Sequence, residues 1–167
     1  MNLHRIPARN EDGSVNVLVE IPRGSRNKYE YDEELGMIAL DRTLYSAVHY
    51  PTDYGFVPGT RDSDGEPADL LVVVEESVFP GCLVRVRLIG VLAIEHGEEP
   101  EHKFLGVPVG EPRLAEWGDI ADVPRHLLKE IEHFFEVFKD LEGSEIRSLG
   151  WEGAERACAL LDGAIVR

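Results

Sequence analysis

Val84-Arg85-Val86-Arg87-Leu88-Ile89-Gly90 alternates apolar and cationic side chains until a glycine breaks the pattern. A period of two marks a β-strand with one face on a core, and a glycine inside such a run points to a bulge or a barrel corner. Similar runs lie on either side. Val15, Val17 and Val19 alternate with Asn16, Leu18 and Glu20 up to Pro22, which sets Glu20 opposite the valines. In Lys28-Tyr29-Glu30-Tyr31-Asp32 the charged residues share one face and the tyrosines the other, and a turn over 33–36 leads to a partner strand over 37–42. Residues 70–74 form a valine-rich apolar run, the pattern of a strand buried on both faces, and 103–107 supply a last strand. Many short strands punctuated by turns describe a small barrel or sandwich.

The C-terminal third changes period. Leu127, Leu128, Ile131, Phe134, Phe135 and Phe138 recur at helical intervals, with Asp122 and Pro124 as start signals. A second helix is expected over 151–161, where Ala154, Ala157, Cys158 and Leu161 form one stripe. The class is therefore α+β, dominated by its barrel.

At 167 residues the chain has the size of one domain, and neither an internal repeat nor a low-complexity tract divides 1–167. Lys and Arg number 17 against 32 Asp and Glu, a net charge of −15 that repels phosphate backbones and anionic membranes, so nucleic acid and membrane are not expected partners. The apolar runs are too short to span a bilayer, and the polar start Met1-Asn2-Leu3-His4-Arg5 lacks a signal-peptide core. Cys82 and Cys158 have no paired spacing, which suits a reducing compartment. The expected location is the cytoplasm.

The densest polar segment is Arg61-Asp62-Ser63-Asp64-Gly65-Glu66-Pro67-Ala68-Asp69, immediately before the buried run at 70–74. Gly65 and Pro67 argue for a loop, and a loop can curl several carboxylate oxygens around a hard cation such as Mg²⁺. Asp, Gly and Pro are also ordinary turn residues, so spacing alone favours a solvated acidic turn. The acids do not follow the spacing of a calcium-binding EF-hand.

Further segments change that balance. Glu20 in Val-Glu-Ile-Pro, Lys28 and Glu30 in Asn-Lys-Tyr-Glu, Asp41-Arg42, and Tyr50-Pro51-Thr52-Asp53-Tyr54-Gly55-Phe56-Val57-Pro58 precede the acidic loop, and Lys139-Asp140-Leu141-Glu142 follows it. In this order they resemble the soluble inorganic pyrophosphatases that use magnesium, over roughly residues 19–151. The resemblance implies a small five-stranded antiparallel β-barrel, OB-like, with two C-terminal helices packed outside. It implies hydrolysis of pyrophosphate to two orthophosphates, with metals bridging the phosphoryl groups. It also implies association into a homohexamer.

Carried over residue by residue, the resemblance makes Asp64 and Asp69 the principal metal carboxylates and Glu20 and Glu30 acids at the rim. Lys28, Arg42, Lys103 and Lys139, with Tyr54, match groups that hold phosphate oxygens, and Tyr50 matches a further active-site tyrosine. In-line attack on phosphorus needs positive charge on the non-bridging oxygens, which this set supplies.

Four positions depart from the family pattern. Its Asp-x-Asp-Pro-x-Asp reads Asp64-Gly65-Glu66-Pro67-Ala68-Asp69 here, so the water-activating position holds a side chain one methylene longer. The two aspartates before the phosphate-binding lysine become His96 and Glu101, and a tyrosine before Lys139 becomes Phe138. Glu101 remains an oxygen donor, and Phe138 continues the apolar stripe of its helix. His96 either faces water or brings an imidazole to the metals, which widens the choice from Mg²⁺ towards Mn²⁺, Co²⁺ or Zn²⁺. Two functions follow: a metal-dependent diphosphatase, or a catalytically weakened paralogue that binds phosphate compounds in a regulatory role.

Overall fold

The structure, a computed structural model, describes residues 3–98 and 100–166; Met1, Asn2, Glu99 and Arg167, including the first two residues of the polar start, lie outside the described residues. The alternating run from Val84 to Gly90 lies in the longest strand, Leu83–Glu95. Numbered in chain order, the strands are β1 (Val15–Ile21), β2 (Asn27–Asp32), β3 (Met37–Thr43), β4 (Asp53–Phe56), β5 (Asp69–Val72), β6 (Leu83–Glu95), β7 (Pro100–Pro108) and β8 (Arg147–Gly153), and the helices are α1 (Arg125–Val137) and α2 (Ala154–Ala164).

β6 pairs with β1 at its start, with β8 at its end and with β7 along most of its length. It can serve three partners because it bends. Leu88 faces Gly106 and Gly90 faces Leu105, leaving Ile89 as the extra residue of a bulge. Gly90 lets the chain pass close by: a Cβ there would lie 2.7 Å from Ile120 Cδ1 and 3.0 Å from the Glu152 carbonyl oxygen. The interruption expected at Gly90 is thus a bulge and a close crossing together.

Pairings run β1-β4-β5-β7-β6 and back to β1, closing a ring of five strands, with β8 added at β6. A ring with an odd number of strands cannot alternate direction all the way round. The expected five-stranded antiparallel barrel is found as this ring, with one pair that departs from it: β5 with β7 is parallel, with Asp69 beside Lys103. The β2–β3 hairpin forms its own two-stranded sheet.

Ring strands are buried on both faces, as expected for residues 70–74. Leu70 and Val72 join a core with Val15, Val17, Val19, Phe104 and, from α2, Ala157 and Leu161. Leu71 and Leu105 join a second core with Tyr50, Tyr54, Ile89 and, from α1, Ile131, Phe134 and Phe135. Each core residue of this size contributes about 1.5–3 kcal/mol by leaving water.

Two elements differ from the sequence reading. Residues 151–153 belong to β8 rather than to the second helix, because Trp151 and Gly153 pair with Leu92 and Gly90 of β6. α2 begins at Ala154, whose N–H donates to Asp119 Oδ1 at 2.7 Å. β4 escapes periodicity because it is four residues long and includes Gly55. That glycine is obligatory: a Cβ would fall 2.0 Å from the Leu18 carbonyl oxygen, where β1 and β4 are in register.

Gly55→Ala must therefore push β4 away from β1. The expected loss of stability is about 2 kcal/mol or more by urea denaturation; a loss within the noise of an exposed glycine-to-alanine change would contradict the close packing of these strands.

Candidate active site

The segments quoted from the sequence converge on one cavity of about 490 Å³. β1 contributes Glu20, the β2–β3 hairpin Lys28 and Glu30, β4 Tyr54, the acidic loop Asp64 and Glu66, β5 Asp69, β7 Glu101 and Lys103, and the turn after α1 Lys139. Tyr50, His96 and Phe138 also line it. Arg42 is the exception among the sequence candidates: it is absent from the lining. Its guanidinium pairs with Asp41 and with Glu142 at 2.8 Å, and its buried Nε has no hydrogen-bond partner among the described residues.

Strand geometry explains the convergence. Glu20 ends the alternation of β1 on the side away from the valines, so its carboxylate meets the cavity although the residue is 8% exposed. It accepts the Tyr31 N–H at 2.7 Å, which ties the hairpin to the ring. Burial pushes the Glu20 carboxyl up to about 7, the neighbouring Asp69 charge adding to the effect. Lys28 pairs with Glu30 and, at 3.2 Å, with Asp41.

The acidic loop is a tight turn closed by its own backbone. Asp62 N–H donates to the Glu66 carbonyl at 2.8 Å and Gly65 N–H to the Asp62 carbonyl at 2.9 Å, with Gly65 at φ +84°. Glu66 N–H donates to Asp64 Oδ1 at 2.9 Å, so Asp64 both shapes the turn and faces the cavity. Asp64 and Glu66 are exposed at the rim, and Asp69 is half-buried.

Lys103 lies deepest. Its ammonium is 2.6 Å from Asp69 Oδ2 and 3.1 Å from Glu101 Oε2, and 5.8 Å from the centroid of the Phe135 ring. Burial alone would lower its pKa, but these two carboxylates raise it above the ordinary lysine value, so it stays charged. Lys139 shifts the other way, lowered by burial and by the charges of Lys28, Lys103 and Arg42. That mutual repulsion places the four sequence-selected cations within electrostatic reach of one another, a region that attracts an anion. Tyr54 is buried beside Asp69, and burial followed by that charge keeps its phenol protonated.

The altered positions also find their places. His96 lines the cavity rather than pointing away from it, and its Nδ1 is 2.9 Å from Glu101 Oε1. Its Nε2 makes no hydrogen bond among the described residues. Phe138 stacks on Phe134 at 5.1 Å and meets Phe135 edge-on at 5.8 Å, so packing accounts for its ring while one edge borders the cavity. Glu33, Tyr31 and Ile146 line the cavity without any motif marking them, and Glu142 enters the site's surroundings through a pairing with Arg42 that spans 100 residues of chain.

Among the described residues, no three His, Cys, Asp or Glu side chains already meet around one point as a closed metal cage. The donor chemistry nevertheless fits a hard divalent cation. Seven carboxylates, Glu20, Glu30, Glu33, Asp64, Glu66, Asp69 and Glu101, face three ammonium groups, Lys28, Lys103 and Lys139. A polyanion can enter such a cavity only with cations that offset the surplus of acid, and carboxylate oxygens are the ligands Mg²⁺ prefers.

Comparison with known proteins agrees with this geometry. The family profile described as inorganic pyrophosphatase matches residues 17–167. The inorganic pyrophosphatase of a Nostoc species is 46% identical over 99% of this chain and 98% of its own, and that of Geobacillus stearothermophilus 46% identical over 94% and 95%. The crystal structure of inorganic pyrophosphatase from Thermus thermophilus superposes with a TM-score of 0.94 at 40% identity, covering 99% of this chain and 97% of that one. With the family profile matching residues 17–167 and relatives 46% identical over nearly the whole chain, the chain belongs to the inorganic pyrophosphatase family.

Proposed function

We propose that this protein is a metal-dependent inorganic diphosphatase that converts pyrophosphate and water into two orthophosphates. The observation that carries this reading is the cavity itself, where three lysines and a surplus of carboxylates meet, in a chain of this family. Kinship supports hydrolysis and gives no support to the weakened-paralogue alternative.

Asp64, Asp69 and Glu101, with Glu30 at the rim and Glu20, which the fold buries instead of leaving it at the rim, would hold Mg²⁺, which when bound offsets the charge on phosphate oxygens and makes water more acidic. Lys28, Lys103 and Lys139 then hold non-bridging oxygens, with Arg42 close behind Lys28, its register partner on β3. Tyr54, kept protonated, donates its O–H to a phosphate oxygen. Glu66 orients the attacking water and accepts its proton at a carboxylate oxygen. As the phosphoanhydride bond breaks, its electron pair passes to the leaving phosphate oxygen, which the cations stabilise.

We read residues 1–167 as one domain. No helix among the described residues is long and apolar enough to cross a membrane, and the unpaired Cys82 and Cys158 suit the cytoplasm. Membership of the family supports association of copies, with the homohexamer as the assembly.

Phosphate release from pyrophosphate should require a divalent cation and stop with chelator; no release with Mg²⁺ or Mn²⁺ would overturn the assignment. In the same assay Glu66→Asp should raise turnover, by up to about 10²-fold if reach limits proton transfer. Carboxyl basicity differs too little between the two to act as strongly. Unchanged or lower turnover in a folded variant would show a pocket adapted to glutamate.

His96→Asp tests the imidazole. If His96 acts as a ligand, the wild-type ratio of activity with Mn²⁺, Co²⁺ or Zn²⁺ to that with Mg²⁺ should exceed the variant's, on the order of tenfold. Equal ratios would leave His96 as a partner of Glu101 only.

A further inference from the structure

We infer that Lys103 is an internal placeholder for the divalent cation, and that its release from Asp69 and Glu101 frees its ammonium for the second ligand, a polyanion. The inference rests on the diphosphatase reading for what the second ligand is, but not for the exchange itself.

Lys103 stands directly beside Asp69 in the parallel β5–β7 register and two residues after Glu101 on β7. Its ammonium touches one oxygen of each carboxylate, at 2.6 and 3.1 Å, and the side chain is only 8% exposed. Two half-buried acids this near each other are stabilised by a positive charge between them, and the buried lysine supplies it. Those same oxygens are donors that a hard cation would use. One positive charge therefore holds both acids before the metal arrives.

Lys139 provides the contrast. It lines the same cavity and carries the same charge, but no carboxylate lies within ion-pairing distance of it among the described residues; its contact is the Phe138 ring, with Nζ 5.4 Å from the centroid. Lys139 is already free to meet an anion, whereas Lys103 becomes free only when Asp69 and Glu101 are satisfied by another cation. Metal binding must break two charged hydrogen bonds. It also turns Lys103 from a partner of acids into a donor for phosphate, so metal and anion favour each other's binding reciprocally.

The test titrates Mg²⁺ alone into the full-length protein by calorimetry, without any phosphate compound. Lys103→Met keeps an unbranched apolar stem against Phe135 while removing the charge; Lys139→Met removes an equal charge from the same cavity. The expected result is first-ion binding at least about tenfold tighter in Lys103→Met, and less than about threefold tighter in Lys139→Met, where only long-range repulsion is relieved. Equal tightening in both variants, or none in a folded Lys103→Met, would overturn the inference. Should Lys103→Met fail to fold, the wild-type protein labelled at lysine Nζ decides: Mg²⁺ alone should shift the Lys103 ammonium resonance and speed its hydrogen exchange, and an unmoved resonance under saturating Mg²⁺ would overturn the inference. Because no pyrophosphate is present, the result stands apart from success or failure of the hydrolysis assay.

Discussion

Asp69 and Lys103 face each other at the start of the single parallel strand pair of the ring, and both line the candidate cavity. Five strands cannot close with every neighbour reversed, so one pair must run parallel. Here that pair brings the end of the acidic loop alongside a lysine contributed by a strand thirty-four residues later. The chain needs β6 and its hairpin with β7 to return there, and the bulge at Ile89 and Gly90 lets β6 bend enough to close the ring. Barrel geometry and charge placement are thus one constraint.

A second consequence is electrostatic. The protein carries −15 overall, and even its cavity has more acids than lysines. Burial, with the Asp69 charge adding to it, raises Glu20 towards neutrality, and burial, with the charges of Lys28, Lys103 and Arg42 adding to it, lowers Lys139 within the same volume. Acids and ammonium groups interleaved in one cavity, as where Lys103 meets Asp69 and Glu101, suit a metal-bridged polyanion: carboxylates for the ions and ammonium groups for the phosphate oxygens. Neither set alone would bind pyrophosphate against the charge of the whole chain.

Much of this is legible in the sequence, for physical reasons that differ by residue. Periodicity locates β6 and α1 because each buries a regular face, and alternation in β1 sets Glu20 opposite the valines although the whole strand is buried. Motif order brings Lys28, Asp64, Asp69, Lys103 and Lys139 to one site although they span more than a hundred residues. Periodicity does not find β4, whose shortness and Gly55 reflect contact with β1, nor does it assign Trp151, which sits beside a helical stripe but bonds to β6. The Arg42–Glu142 pair and the pocket-facing ring of His96 are products of folding, which no local pattern encodes. The helical stripe makes Phe138 a packing residue, and its contacts with Phe134 and Phe135 bear that out while also bringing it to the cavity edge.

Recognition of a diphosphate only as its metal complex is what the surplus of carboxylates in this cavity implies. Its most direct test is calorimetric titration of a non-hydrolysable pyrophosphate analogue into the protein, once with excess Mg²⁺ and once with chelator. Saturable binding is expected with Mg²⁺ and none measurable without it, because seven carboxylates then oppose the anion. Equal affinity under both conditions, or no binding under either, would contradict it.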